Sequence, residues 1–121
     1  MISLQVHNLT KRYGKVQALH NVSFDVGPGE IFGYLGPNGA GKTTTIRIML
    51  GLVRANSGQV RLFGDISMRA SGRVATGYLP GELRLYDNMT SAAVLDYFAR
   101  YRPQRPPVLR EKLLKAFGVD Q

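Results

Sequence analysis

A glycine-rich loop in the first half of the chain carries the residues best suited to chemistry. It matches the pattern G-x-x-x-x-G-K-S/T, and its members are Gly36, Pro37, Asn38, Gly39, Ala40, Gly41, Lys42 and Thr43. The backbone N–H groups of such a loop bind phosphate oxygens, and the dipole of the following helix favours the same anion. We therefore expect Lys42 to reach the β- and γ-phosphates of a nucleotide and Thr43 to ligate Mg²⁺. We also expect Thr44 to add a hydroxyl contact to the α-phosphate.

The glycine-rich loop requires a strand before it and a helix after it. Residues 31–35 are mainly apolar without alternation, which predicts a strand buried on both faces. Residues 42–50 predict a helix that buries Ile46, Met49 and Leu50. The alternative is a chance match in a glycine-rich turn, because Gly supplies 14 of the 121 residues. The strand–loop–helix context favours a phosphate-binding loop.

The remaining segments predict an α/β fold. Apolar and polar residues alternate over residues 2–7, 22–26 and 59–62, which indicates an antiparallel sheet with one face in solvent. Residues 74–79 lack this alternation and predict a second strand buried on both faces. The fold class is therefore a P-loop core with an N-terminal antiparallel layer and the start of a helical subdomain.

Two helices are predicted in the last third of the chain. Thr90 is the expected N-cap of the first, and Gly118 is the expected C-cap of the second. A proline-containing stretch at 102–107 separates the two helices. Apolar residues recur at helical spacing on each, and these are Val94, Leu95 and Phe98 on the first and Leu109, Leu113 and Phe117 on the second.

Length and composition exclude several classes of protein. The chain has 121 residues, which allows one domain with a core of its own, and no Cys, which excludes disulfides and thiol nucleophiles. No apolar run approaches the ~20 residues of a membrane helix, and no leader sequence is visible, so we expect a cytosolic protein. The net charge of +8 indicates an anionic partner, a solvated basic surface, or a missing acidic portion of a longer chain. Either of the last two interpretations is favoured over an anionic partner.

Segments along the whole chain resemble the ATPases of ATP-binding cassette (ABC) transporters. Residues 36–45 resemble the Walker A loop of that family, and the other matching segments are the A-loop at 9–14, the strands before Walker A at 18–30, the turn and strand at 57–64 and the start of the Q-loop at 77–80. Bacterial exporter ATPases of the multidrug type are the most similar branch. The resemblance implies that the bound cofactors are ATP and Mg²⁺.

The resemblance assigns two further positions. Tyr13 matches the A-loop aromatic residue that stacks on adenine, a contact that accepts any base. The Q-loop glutamine of the family is expected after Pro80, where this chain has Gly81 and Glu82. Glu82 either supplies an oxygen to Mg²⁺ or simply faces solvent.

The resemblance also implies partners. Residues 1–121 correspond to the Walker A half of the nucleotide-binding domain, without the signature motif, the Walker B aspartate or the catalytic glutamate. We expect the chain alone to lack hydrolysis, and the complete protein to be an ATPase that pairs with a second ATPase domain. It would act peripherally on the cytosolic face of the membrane and drive export through membrane-spanning subunits. No nucleic acid is expected as a partner. The alternatives are an ABC protein acting on RNA or ribosomes, and a non-catalytic gene fragment.

Overall fold

Two units make up the chain in the computed structural model, which describes residues 1–36, 41–82, 84–101 and 108–119. The first unit is Met1–Tyr78 and the second is Leu79–Gln121. Nothing in the described residues of either unit forms a helix long and apolar enough to span a membrane.

An antiparallel sheet dominates the described part of the first unit. Its strands are β1 (Leu4–Tyr13), β2 (Val16–Val26), β3 (Ser57–Leu62) and β4 (Asp65–Ile66). They lie in the order β2-β1-β3-β4, and each neighbouring pair is antiparallel. The antiparallel layer predicted from alternating residues is therefore confirmed, with longer strands than the alternation indicated.

An irregularity in β1 keeps the core residues on one face of the sheet. Val6 and Leu9 are both buried although they are three positions apart, which strict alternation would not allow. The register between β1 and β2 shifts between these two residues, and Asn8 adopts a φ of 46° there. The Asn8 N–H donates to Ser23 Oγ at 2.8 Å, so the irregularity carries its own hydrogen bond.

Helix α1 (Lys42–Met49) packs on the sheet by a different face from the one predicted. Thr45 and Ile48 are its buried residues, and Met49 packs partly buried against the same cluster. Ile46, predicted to be buried, is 36% exposed. The buried cluster consists of Val6, Leu9, Leu19, Ile48 and Val60. Positions 45 and 48 lie one turn apart and therefore face the sheet together.

The prediction of two strands buried on both faces was wrong. Residues 31–35 form no strand, and Ile31 and Leu35 are 100% and 92% exposed. Residues 74–79 also form no strand and follow the short helix α2 (Ala70–Arg73). A parallel strand needs hydrogen-bonding neighbours and helices over its faces, and among the described residues no strand pairs with either segment.

The described part of the second unit contains α3 (Ser91–Ala99) and α4 (Arg110–Phe117). Thr90 caps α3 as predicted, since its hydroxyl oxygen accepts a hydrogen bond of 3.2 Å from the Ala93 N–H. Gly118 caps α4 as predicted, with a φ of 62°. An ion pair of 2.6 Å between Arg110 and Asp96 joins the two helices. The predicted proline-containing stretch, 102–107, lies outside the described residues.

The two predicted apolar stripes face an open groove in this unit. Val94 is buried, whereas Leu95 and Phe98 of α3 line a groove of about 670 Å³. The stripe on α4 lines it too, through Leu109, Leu113 and Phe117.

A tyrosine cluster lies at the end of α3. Tyr97 contacts the rings of Tyr86, Phe98 and Tyr101 edge-on. Its hydrogen bond with Tyr101 raises the pKa of the Tyr97 phenol.

Candidate functional site

The glycine-rich loop joins helix α1 at a position that only glycine fits. Gly41 is the N-cap of α1 and has a φ of 91°, in the left-handed region. A Cβ atom on Gly41 would lie 2.5 Å from both the Ala18 carbonyl oxygen and a methyl carbon of Leu19. The end of the loop therefore packs directly on strand β2. The loop's other predicted phosphate-binding positions, Pro37, Asn38, Gly39 and Ala40, lie outside the described residues.

Lys42 connects the two ends of the loop. It is the first residue of α1, and its ammonium group donates a hydrogen bond to the carbonyl of Gly36. Gly36 is the first residue of the loop, so the positive charge lies where the chain enters it. In the first turn of α1 there is no acidic side chain. The helix dipole and the ammonium charge therefore act in the same sense on an anion at this end.

A cleft of about 270 Å³ brings Tyr13 together with the start of α1. Strand β1 contributes Tyr13, whose side chain is 43% exposed, and the helix contributes residues 41–44. The Lys11 ammonium lies 5.1 Å from the centre of the Tyr13 ring. Tyr13 thus shares the cleft with four other residues predicted to bind the nucleotide, namely Gly41, Lys42, Thr43 and Thr44.

Sequence reasoning missed the contribution of β2 to this cleft. Val16, Gln17 and Ala18 line it as well. Val16 pairs directly with Tyr13 across the hairpin, so the start of β2 lies beside Tyr13. The signal in the sequence was the short turn at Gly14 and Lys15, because a hairpin there places the start of β2 next to the end of β1.

The donor set in the cleft fits a magnesium ion that a nucleotide brings with it. Thr43 is exposed in the first turn of α1, and its hydroxyl is a hard oxygen ligand. No group of three or more His, Asp or Glu residues that could hold a metal exists in the described part of the chain. Mg²⁺ is commonly held by one or two protein oxygens together with substrate phosphates and waters.

Gly81 and Glu82, at the expected Q-loop position, are both exposed and belong to the second unit.

Known proteins provide an independent comparison. The sequence model described as ABC transporter matches residues 19–119. The chain is 38% identical over 121 residues to the probable multidrug ABC transporter ATP-binding protein YbhF of Escherichia coli K12, which covers 96% of this chain and 21% of that protein. It is 38% identical over 109 residues to the sulfate/thiosulfate import ATP-binding protein CysA of Methylococcus capsulatus, covering 88% of this chain and 31% of that protein.

A solved structure gives the same result for the fold. The ATP binding subunit of an ABC transporter superposes with a TM-score of 0.67 at 31% identity, over 93% of this chain and 51% of the other. The chain thus spans about a fifth to a half of the length of the proteins it matches. The match of the family's sequence model to residues 19–119 shows that the chain belongs to the ABC transporter family.

Proposed function

We propose that this chain binds Mg-ATP in the cleft between Tyr13 and the start of α1. The observation that supports this most directly is that one cleft is lined by Tyr13, Gly41, Lys42, Thr43 and Thr44. An aromatic face and a cationic helix N-terminus match the two ends of a nucleotide, its base and its phosphates. The cleft and the family membership support the proposal independently.

Each side chain has a distinct part in the proposed site. Lys42 neutralises charge on the β- and γ-phosphates, and its hydrogen bond to the Gly36 carbonyl at the start of the loop supports this role. Thr43 supplies an oxygen to Mg²⁺, which when bound offsets charge between the phosphates. Thr44 contacts the α-phosphate. Backbone N–H groups of the loop residues other than Pro37, which has none, complete the cradle.

The base is held by the ring of Tyr13. The ring lies beside the cleft and is partly exposed, so a face is accessible to a planar base. The Lys11 ammonium lies over the same ring and favours its orientation through a cation–π contact. Such stacking adds affinity with little choice among bases.

We extend the proposal to the protein in which this half-domain acts. ATP binding and hydrolysis drive transport through membrane-spanning subunits, with a second ATPase domain completing each site on the cytosolic face of the membrane. The relatives include both a probable multidrug ABC transporter ATP-binding protein and a sulfate/thiosulfate import ATP-binding protein. We propose export, on the similarity to the multidrug protein.

Titration of the purified protein with a fluorescent ATP analogue tests the binding proposal. Lys42→Ala removes the charge that faces the phosphates and should abolish measurable binding. Lys112→Ala is the matched control, because Lys112 is exposed on α4 and the same charge is lost. Equal titration curves for the wild type and Lys42→Ala would refute nucleotide binding in this cleft.

A further inference from the structure

Thr45 is a polar residue in the core beneath the glycine-rich loop. It lies in the first turn of α1 and is fully buried, with 0% of its surface exposed. Its backbone N–H donates to the Gly41 carbonyl at 2.9 Å, and its hydroxyl lies 3.0 Å from the same oxygen. The Gly41 carbonyl therefore accepts two hydrogen bonds from one residue.

The hydroxyl of Tyr34 completes this arrangement. It lies 3.0 Å from Thr45 Oγ1. A carbonyl can only accept, so the single hydroxyl hydrogen of Thr45 is directed at Gly41. Tyr34 must then be the donor to Thr45. The result is a directed chain of hydrogen bonds from Tyr34 through Thr45 to Gly41.

The Tyr34 ring is held independently of its hydroxyl. Its centre lies 5.1 Å from that of Phe24 in strand β2, and Phe24 also stacks on Phe32 at 5.0 Å. The Tyr34 hydroxyl is thereby aimed at Thr45 from a fixed position. Replacing Tyr34 by Phe would remove the hydroxyl and leave the ring contacts in place.

We infer that Tyr34 is a positioning residue for phosphate binding and acts through Thr45, an inference that rests on the proposed function. The Gly41 carbonyl and the Lys42 N–H belong to one planar trans peptide and point in opposite directions. Holding the carbonyl towards the core therefore turns the Lys42 N–H outwards to the loop, where the phosphates bind. Donation to the carbonyl also polarises the peptide and makes its N–H a stronger donor.

Two ligands separate positioning of the loop from other effects. Inorganic tripolyphosphate reports on the phosphate cradle alone, whereas ATP also stacks on Tyr13. Tyr34→Phe should weaken binding of both ligands to the purified protein by the same factor, roughly threefold to tenfold for one hydrogen bond. Tyr13→Ala should weaken ATP and leave tripolyphosphate unchanged.

Variants of Thr45 test the direction of the chain. Thr45→Val keeps the shape and removes the hydroxyl, so it should lower tripolyphosphate affinity at least as much as Tyr34→Phe. Thr45→Ser keeps the hydroxyl and should restore wild-type affinity. Adding Tyr34→Phe to Thr45→Val should cause no further loss, because Tyr34 acts only through Thr45.

Different experimental results would overturn the inference and the proposed function. If the wild type binds tripolyphosphate, Lys42→Ala does not, and Tyr34→Phe binds as tightly as the wild type, the inference is overturned and the proposed function stands. Urea unfolding of each variant gives the folded fraction. A loss in Tyr34→Phe that vanishes after correction for that fraction would also overturn the inference.

Discussion

Tyr13 and Lys42 line the same cleft, although one ends strand β1 and the other begins helix α1. One contact that brings them together is at Gly41, which lies against Ala18 and Leu19 of β2 without room for a side chain. Strand β2 is in turn paired with β1 next to Tyr13. The hairpin therefore sets the distance between the aromatic ring and the charged helix end.

Replacement of Tyr13 should separate the contribution of the ring from that of its hydroxyl. We expect Tyr13→Ala to weaken ATP binding roughly fivefold or more, because base–aromatic stacking is worth ~1–3 kcal/mol. Tyr13→Phe retains the ring and should bind as the wild type does. GTP should bind about as well as ATP. Fluorescence titration checks all three, and a loss of binding in Tyr13→Phe would show that the hydroxyl matters instead.

Gly58 should be the least replaceable glycine of the sheet. Its φ is 80°, and a Cβ atom there would run into the backbone of His7 and Asn8 in strand β1. Gly58→Ala must therefore push β3 away from β1, and we expect it to destabilise the first unit by about 3 kcal/mol or more.

Gly64 provides the matched control for that substitution. Its φ is 87°, but a Cβ atom there has no neighbour within 4 Å. Gly64→Ala should cost only the backbone strain, about 1–2 kcal/mol. Urea unfolding measures the free energy of unfolding of both variants. Equal losses of stability would contradict the prediction, because the Gly58→Ala side chain would then meet no resistance from β1.

The sequence was a good guide to local pattern and a poor guide to burial that depends on distant partners. Alternation located β1, β2 and β3, because a period of two follows directly from a sheet with one buried face. The cap residues Thr90 and Gly118 were also predictable, since caps depend on the chemistry of a few neighbouring residues.

Two predictions of burial failed, each for its own physical reason. Residues 31–35 were predicted to be a buried strand from their apolar character, yet strands form only against neighbours that composition does not reveal. Thr45 was not among the predicted core residues, and its polar side chain is buried because its hydroxyl takes part in two hydrogen bonds. In the candidate site, the role of Tyr13 could be predicted only from the family resemblance. The roles of Lys42 and Thr43 could be predicted from the loop pattern itself.

Loss of the Thr90 cap should destabilise α3 measurably. Thr90→Ala removes the acceptor for the Ala93 N–H, and we expect a cost of about 1 kcal/mol. Thr90→Ser keeps the acceptor and should be nearly neutral. The loss should show as a reduction of helical circular dichroism at intermediate urea concentration. Identical unfolding curves for Ala and Ser at this position would contradict a capping role.

Binding without turnover is the expected behaviour of the 121-residue chain by itself. Phosphoryl transfer needs a group that orients the attacking water, and no carboxylate is among the described residues that line the cleft. We therefore predict that the chain binds Mg-ATP but releases phosphate no faster than Lys42→Ala does. A coupled phosphate assay after size-exclusion chromatography measures this. Steady release that is lost in Lys42→Ala would contradict the prediction. Glu82→Gln would then be the first variant to assay, because Glu82 occupies the expected Q-loop position and is exposed.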